Sequence, residues 1–103
     1  MAGMGINETA ATVVEWRIKQ GFVTEQRNVL AKLMLVVTEC AEAADDARHG
    51  RWMHFGEEIA DAIIRLFDLG ASLGYDMEHH IALKMKVNEA RKYRHGVSEE
   101  SDE

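Results

Sequence analysis

Four acidic residues with matched spacing carry the clearest chemical signal in this chain. Glu39 and Glu42 lie three residues apart, and Glu58 and Asp61 repeat that spacing. Because three residues make nearly one helical turn, each pair would project from one side of its own helix. Four carboxylates brought together by two antiparallel helices would repel one another and resist ionising together. A Mg²⁺ ion removes that repulsion and prefers oxygen ligands, so the pattern predicts a metal site suited to phosphate chemistry.

Helices would have to position these acids, and the composition favours them. The 103-residue chain has no proline and is 47% hydrophobic, which suits one globular domain with long unbroken helices. Glycines and polar residues divide the chain into four predicted helices, at about 7–20, 24–48, 54–73 and 76–93. The expected N-caps of the first, second and fourth helices are Asn7, Thr24 and Asp76. A short connection, about 49–54, would make the second and third helices antiparallel neighbours and bring the two acid pairs together.

These elements predict an all-α, four-helix bundle-like domain over residues 1–97, followed by an acidic flexible tail over 98–103. We expect an apolar stripe of the second helix to face the core, formed by Leu30, Leu33, Met34, Val37, Ala41 and Ala44. The matching stripe of the third helix is formed by Phe55, Ile59, Ile63, Leu66 and Gly70. Residues 33–37 are apolar nearly all the way round, so the second helix should be covered on more than one side. We therefore predict a homo-oligomer, either a dimer or a tetramer.

Charge and cysteine content narrow the classes of partner. The formal net charge of −6 argues against a nucleic-acid-binding protein, which usually carries a basic patch. The single Cys40 has no partner for an internal disulfide, which favours a reducing cytoplasm. No apolar run approaches the roughly 20 residues of a membrane span, and the first residues lack the pattern of a signal peptide. We therefore expect a cytoplasmic protein that binds neither nucleic acid nor membrane.

The fourth helix carries a stripe of opposite charge. Lys84, Asn88 and Arg91 follow one another at spacings of four and three residues, so they line one side of a helix. Such a stripe is often no more than a solvated helix face. If it faces the acids instead, the two sides form a cleft in which a metal ion meets one wall and phosphate oxygens meet the other.

The acid pairs and the fourth helix together resemble a known family. The segments are Glu39-Cys40-Ala41-Glu42, Glu57-Glu58-Ile59-Ala60-Asp61 and, further on, the K-x-x-x-N-x-x-R pattern from Lys84 to Arg91. In type and spacing they resemble the MazG-like all-α nucleotide pyrophosphohydrolases, whose pattern is an ExxE on one helix and an EExxD on the next. The resemblance covers about residues 10–96.

The resemblance implies a specific reaction and a set of roles. Enzymes of this family split a nucleoside triphosphate into the monophosphate and pyrophosphate. The four acids would hold one or more Mg²⁺ ions, with Mn²⁺ as an alternative, and one acid would act as base toward the attacking water. The cationic stripe would bind phosphate oxygens and stabilise the departing pyrophosphate. Trp16 would stack on the base, since relatives place aromatic groups of the first helix there, although a tryptophan in a small helical domain is more often a core or subunit contact.

Three other functions remain open at the level of the sequence. A phosphoribosyl-ATP pyrophosphohydrolase resembles the same all-α superfamily and is similarly short. A di-iron carboxylate bundle usually needs Glu-x-x-His motifs, and neither acid pair here ends in His. A non-enzymatic helical oligomerisation module would use the apolar stripes and leave the acids as solvated charges.

Overall fold

A computed structural model describes the backbone of residues 5–94 and the side chains of residues 5–91. The predicted tail over 98–103, and residues 1–4 and 95–97 of the predicted domain, lie outside the described residues. The described chain forms α1 (Ile6–Lys19), α2 (Val29–Arg48), α3 (Trp52–Ser72) and α4 (Met77–Arg94), with a 3₁₀ turn at Gln26–Asn28 between α1 and α2. The prediction of an all-α fold is therefore confirmed.

A three-residue connection folds α2 and α3 back on each other as a hairpin. Gly50 has a φ of 71°, a left-handed conformation that glycine adopts without a Cβ clash. The N–H of Arg51 donates to the carbonyl of Asp46 at 2.9 Å and thereby closes the end of α2. The Arg51 guanidinium also bonds Asp45 at 2.7 Å and Asp46 at 2.8 Å. Because this turn is so tight, α3 begins at Trp52, two residues before the predicted His54.

The apolar core of a single chain is small. Between α2 and α3 it consists of Val36, Ala62 and Leu69, with Val29 packed beside them. Among the described residues, no large side chain is fully buried. A core of this size leaves much apolar surface in contact with water.

The predicted core stripe of α2 is wrong for the single chain. Leu30, Met34 and Val37 are 78%, 58% and 55% exposed, whereas Val36 and Ala43 face α3. The same is true on α3, where Ile59, Ile63 and Leu66 are 38%, 45% and 43% exposed and Ala62 is buried. Each helix has an apolar side and a mixed side that carries acids and small residues, and the mixed sides of α2 and α3 meet. Part of the exposed stripe of α2 borders the acids, since Val37 and Ala41 line the same cavity as Glu42.

A buried polar group joins α1 to α3. The Asp68 carboxylate, 4% exposed, accepts hydrogen bonds from the hydroxyls of Thr24 and Ser72. Arg17 on α1 lies 3.3 Å from the same carboxylate and stacks over Phe22 at 4.8 Å. Thr24 therefore anchors the loop to α3 and does not cap α2, contrary to the predicted N-cap. The group fixes α1 against the side of α3 that carries the acids.

Among the residues of α4 whose side chains are described, those of the first turns rest on the rest of the chain. Asn7 and Asp76 are joined by a 2.8 Å hydrogen bond, and Asn7 also accepts from the N–H of Glu78 at 3.1 Å. Asn7 thus stabilises the start of α4, while Gly5 is the N-cap of α1. Asp76 caps α4 as predicted by accepting from the N–H of His79 at 3.0 Å, and the Asn7 bond lowers its pKa. Every described residue from 82 to 91 is exposed.

The bare backbone of Gly70 lets α4 approach α3. A Cβ at Gly70 would meet the Met77 side chain, with Cγ only 2.8 Å away. This contact is where α4 leaves α3, nine residues after Asp61 along α3, or roughly 13 Å at 1.5 Å per residue. The acids and the fourth helix are therefore separated along the hairpin.

Candidate metal and phosphate site

The hairpin brings the predicted acids into one cluster. Glu39 of α2 and Glu58 and Asp61 of α3 each offer a carboxylate oxygen, and the three oxygens lie within 4.8 Å of one another. Glu42 lies beside them, since it helps to raise the pKa of Glu58 and lines a cavity together with it. Oxygens at these separations can contact a single divalent cation after small side-chain movements. The convergence predicted from the spacing and the short connection is therefore present in the structure.

Glu58 lies at the centre of the cluster and is the acid most affected by it. The adjacent carboxyl of Glu39, burial of the Glu58 carboxyl and the adjacent carboxyl of Glu42 raise the pKa of Glu58 to about 7. Its Oε2 atom is buried and, among the described residues, meets no N–H or O–H donor. Carboxylate oxygens crowd it instead, so either a proton or a cation must offset the charge. Near neutral pH this position is therefore suited to exchanging a proton for a metal ion.

Arg65 belongs to the site although the sequence analysis did not assign it there. Its Nε donates to Oε1 of Glu39 at 3.2 Å across the hairpin, and both side chains are largely buried. Among the described residues, this is the one ion pair that any of the four acids makes. Arg65 follows Asp61 by four residues, which places both on one side of α3. That spacing was a usable signal for a cation beside the acids.

Two cavities open on the cluster. The smaller, about 180 Å³, is lined by Trp16, Arg17, Glu39, Asp61, Ile64 and Arg65. The larger, about 530 Å³, runs along α2 and is lined by Val37, Thr38, Ala41, Glu42, Asp45, Asp46, His54 and Glu58. We call the larger one the acidic groove. Glu39 and Asp61 thus face one cavity and Glu42 and Glu58 the other, so a ligand bound to all four acids would span both.

Trp16 lies beside the acids, and its predicted role in stacking on a base stays a prediction. Its indole is 51% exposed and lines the smaller cavity together with two acids and two arginines. A flat aromatic group on an open wall suits stacking against a planar ring.

The cationic stripe of α4 does not meet the acids within one chain. Lys84, Asn88 and Arg91 are exposed. Among the contacts of the described residues, no hydrogen bond or ion pair links these three side chains to the cluster. The expectation of a cleft closed by α4 is therefore not met by a single copy of the chain.

The donor set fits a hard divalent cation. All of the converging groups are carboxylates, Glu58 has a buried oxygen without a donor, and the cluster contains no sulfur or imidazole ligand. Such an all-oxygen set favours Mg²⁺ or Mn²⁺ over metals that prefer nitrogen or sulfur. Exposed acidic groups also occur without any ion, so the central position of Glu58 is the discriminating feature here.

Comparison of the chain with protein-family models, with curated proteins and with solved structures gives no match. Function must therefore be inferred from the residues and their geometry. Within residues 5–94, none of the helices combines the length and the apolar composition that a membrane crossing requires.

Proposed function

We propose that this protein is a Mg²⁺-dependent nucleoside triphosphate pyrophosphohydrolase of the MazG-like type, which cleaves an NTP or dNTP to the monophosphate and pyrophosphate. The observation that carries the proposal is the convergence of Glu39, Glu58 and Asp61 to within 4.8 Å, with the pKa of Glu58 raised to about 7. Carboxylates crowded in this way destabilise the fold unless a proton or a cation neutralises them. The cluster therefore supports a bound metal ion at pH values where Glu58 is ionised.

The residues of the site divide the work of this reaction. Glu39, Glu42, Glu58 and Asp61 would hold Mg²⁺ or Mn²⁺. The metal ion, when bound, supplies electrostatic stabilisation of phosphate oxygens and acidifies water. Trp16 would stack on the base in the smaller cavity. The cations of the α4 stripe, Lys84 and Arg91 with the amide of Asn88, would bind the phosphate oxygens of the leaving group.

Homo-oligomer formation is part of the proposal. The exposed stripes of α2 and α3 include Leu30, Met34, Val37, Ile63 and Leu66. Large apolar residues exposed together on two neighbouring helices mark an interaction site more often than a solvent-facing surface. A second copy presents the same face, so a two-fold dimer covers both, and two dimers can pair as a tetramer. A cytoplasmic location, where nucleotides are abundant and Cys40 stays reduced, completes the proposal.

The test is a panel of ribo- and deoxyribonucleoside triphosphates with Mg²⁺, scored separately for monophosphate and pyrophosphate. Glu58→Gln and Asp61→Asn should abolish the activity and leave the helical circular dichroism spectrum unchanged. Release of orthophosphate instead of pyrophosphate would refute the reaction, and full activity in both variants would refute the site. Adding phosphoribosyl-ATP to the panel separates the related pyrophosphohydrolase of histidine biosynthesis from the nucleotide-directed enzymes.

A purely structural oligomerisation module is the second candidate, and the exposed apolar face is the observation that favours it. Such a module makes no use of a central carboxyl whose pKa is raised by its neighbours. The two functions differ in their response to ligand, because a ligand that binds only the folded state raises the melting temperature. A melting temperature unchanged by Mg²⁺ and nucleotide would favour the module.

A further inference from the structure

Arg17 is a buried guanidinium whose hydrogen-bonding capacity is not used within the described chain. The residue is 9% exposed, and its Nε lies 3.3 Å from the Asp68 carboxylate but is not aligned for a hydrogen bond. Among the contacts of the described residues, none is a hydrogen bond donated by the terminal nitrogens of Arg17. Because a guanidinium has five N–H donors, Asp68 offsets the charge of Arg17 and leaves its donors available to a further acceptor.

These donors border the smaller cavity of the acid cluster. Arg17 lines that cavity together with Arg65, Glu39 and Asp61. Arg65 bonds Glu39 through its Nε, which leaves its terminal nitrogens for another acceptor. The cavity volume of about 180 Å³ has room for one phosphate group, since a water molecule occupies about 30 Å³. Two arginines and two carboxylates around such a cavity offer separate places for an anion and for a cation.

Arg17 and Glu58 lack partners of opposite kinds. Within the part of the chain that the structure describes, the buried side-chain atoms without a hydrogen-bond partner are Nε of Arg17, a donor, and Oε2 of Glu58, an acceptor. A cation alone would serve Glu58 and leave Arg17 as it is, and an anion alone would be repelled by Glu39 and Asp61. A phosphate bound to a metal ion brings both charges together and serves both residues.

A neighbouring apolar cavity indicates which phosphate of a nucleotide lies beside Arg17. This cavity, of about 280 Å³, is lined by Thr12, Val13, Trp16 and Ile64. Trp16 and Ile64 also line the smaller cavity, so the two cavities adjoin. A base stacked on Trp16 would therefore bring the phosphate nearest to the sugar next to the arginines, and the more distant phosphates would extend out of the smaller cavity.

We propose that Arg17, together with Arg65, binds the phosphate that stays attached to the nucleoside. The planar fork of an arginine donates two parallel hydrogen bonds to a phosphate. Asp68 and the ring of Phe22, 4.8 Å from the guanidinium, hold Arg17 in place before any ligand arrives, which reduces the cost of ordering the side chain on binding. The inference rests on the proposed function for the identity of the ligand, and it leaves the stripe of α4 to the departing pyrophosphate.

Calorimetry tests the inference without hydrolysis. Ribo- and deoxyribonucleoside monophosphates of the common bases are each compared with the corresponding nucleoside at saturating Mg²⁺, so that the gain in affinity from the phosphate is measured by itself. In Arg17→Lys, which keeps a charge beside Asp68 but loses the planar fork, this gain should fall about 10- to 100-fold while the affinity for the nucleoside stays the same. Arg27→Met removes an exposed arginine that lines none of these cavities and should bind as the wild type does.

A second variant removes the charge at position 17 altogether. Arg17→Met combined with Asp68→Asn replaces both partners of the buried ion pair, which proteins tolerate better than the loss of one partner. This double variant should keep its helical circular dichroism spectrum and its affinity for the nucleoside, and the gain from the phosphate should disappear. Full retention of that gain in both variants would mean that Arg17 serves only to neutralise Asp68, and the inference would be overturned. A wild type that binds no monophosphate more tightly than its nucleoside would overturn it as well.

Nuclear magnetic resonance gives a readout on the unaltered protein. The Nε–H signal of Arg17, assigned by its connection to its own backbone amide, is followed in ¹⁵N-labelled protein with Mg²⁺ as the tightest-binding monophosphate or its nucleoside is added. The signals of Arg17 and Arg65 should shift with the monophosphate and not with the nucleoside, and the signal of Arg27 should stay unchanged. An Arg17 signal that does not respond to a saturating monophosphate contradicts the proposed contact.

The binding measurements separate this inference from the proposed function. A wild type that binds a monophosphate through Arg17, but releases no pyrophosphate from any triphosphate, would refute the reaction and support the phosphate subsite. An active wild type whose Arg17 variants keep both the gain from the phosphate and the Michaelis constant for the triphosphate would support the reaction and refute the subsite.

Discussion

Binding of Mg²⁺ should displace a proton from Glu58. The average number of protons released at a given pH follows from the pKa of Glu58. The carboxyl has a pKa of about 7 because Glu39 and Glu42 crowd it. A cation bound by Glu58 and its neighbouring acids requires the ionised form of Glu58, so the proton that Glu58 holds before binding must leave. A single group with this pKa releases about 0.9 proton at pH 6, about 0.5 at pH 7 and about 0.1 at pH 8. Mg²⁺ should accordingly bind more weakly at pH 6 than at pH 8.

Isothermal titration calorimetry measures the release directly. Mg²⁺ is titrated into the protein at each pH in buffers that differ in ionisation enthalpy, and the slope of the observed enthalpy against the buffer enthalpy gives the number of protons. Glu58→Gln should bind Mg²⁺ weakly and release no proton. Glu15→Gln changes an exposed carboxylate on α1 that lines neither cavity of the site, removes the same charge and should behave as the wild type.

Two results would contradict this reasoning. A release below about a tenth of a proton at pH 6 would mean that Glu58 is already ionised and that the acids do not crowd one another as the structure has them. An equal release in Glu58→Gln would assign the proton to another group. Either result would remove the reason for regarding Glu58 as the centre of a metal site.

Three further outcomes follow from the same geometry. Between about pH 4.5 and 7 the folded protein keeps a proton on Glu58 that the unfolded chain has lost. The contribution of Glu58 to the stability of the metal-free protein should therefore be largest below about pH 4.5 and be lost as the pH rises to about 7. Urea denaturation should show this loss in the wild type and not in Glu58→Gln. Arg65→Met leaves Glu39 without its cation, so it should lower the free energy of unfolding by about 1–2 kcal/mol. It should also enlarge the rise in melting temperature that Mg²⁺ causes. A smaller rise than in the wild type would contradict the placement of Arg65 in the metal site. Asp68→Ala leaves the buried Arg17 uncompensated and should cost about 3–5 kcal/mol in urea denaturation, and a loss under 1 kcal/mol would show that the group is dispensable.

Local spacing was enough to predict the helices and the meeting of the acids. Pairs three residues apart share a helix side whatever else the helix does, and a short connection leaves antiparallel packing as the ready solution. Glu39 and Asp61 therefore converge as expected. The same is true of Asp76, whose capping role depends only on residues within one turn.

Contacts between distant segments were not predictable in the same way. Asn7 and Thr24 are both good capping residues by type, yet each bonds a partner more than forty positions away. The orientation of α2 was missed for a related reason. A helix with an apolar side and a mixed side can turn either one toward its neighbour, and hydrophobic periodicity alone favours the apolar side. In this chain the mixed side faces inward, and Leu30 and Met34 remain exposed.

The exposed apolar residues and the clustered acids have a common explanation. A small chain that packs Glu39, Glu58 and Arg65 between its two longest helices gives up part of its apolar core to do so. The stability lost there can be regained from a ligand that neutralises the acids and from a second copy that covers the apolar face. If Mg²⁺ binding and subunit association act on the same folded state, each should strengthen the other. Mg²⁺ should then tighten the association of subunits, and association should tighten Mg²⁺ binding by the same factor. Sedimentation at several protein concentrations, with and without Mg²⁺, measures that coupling, and an association constant unaffected by Mg²⁺ would show that the site and the subunit contact are independent.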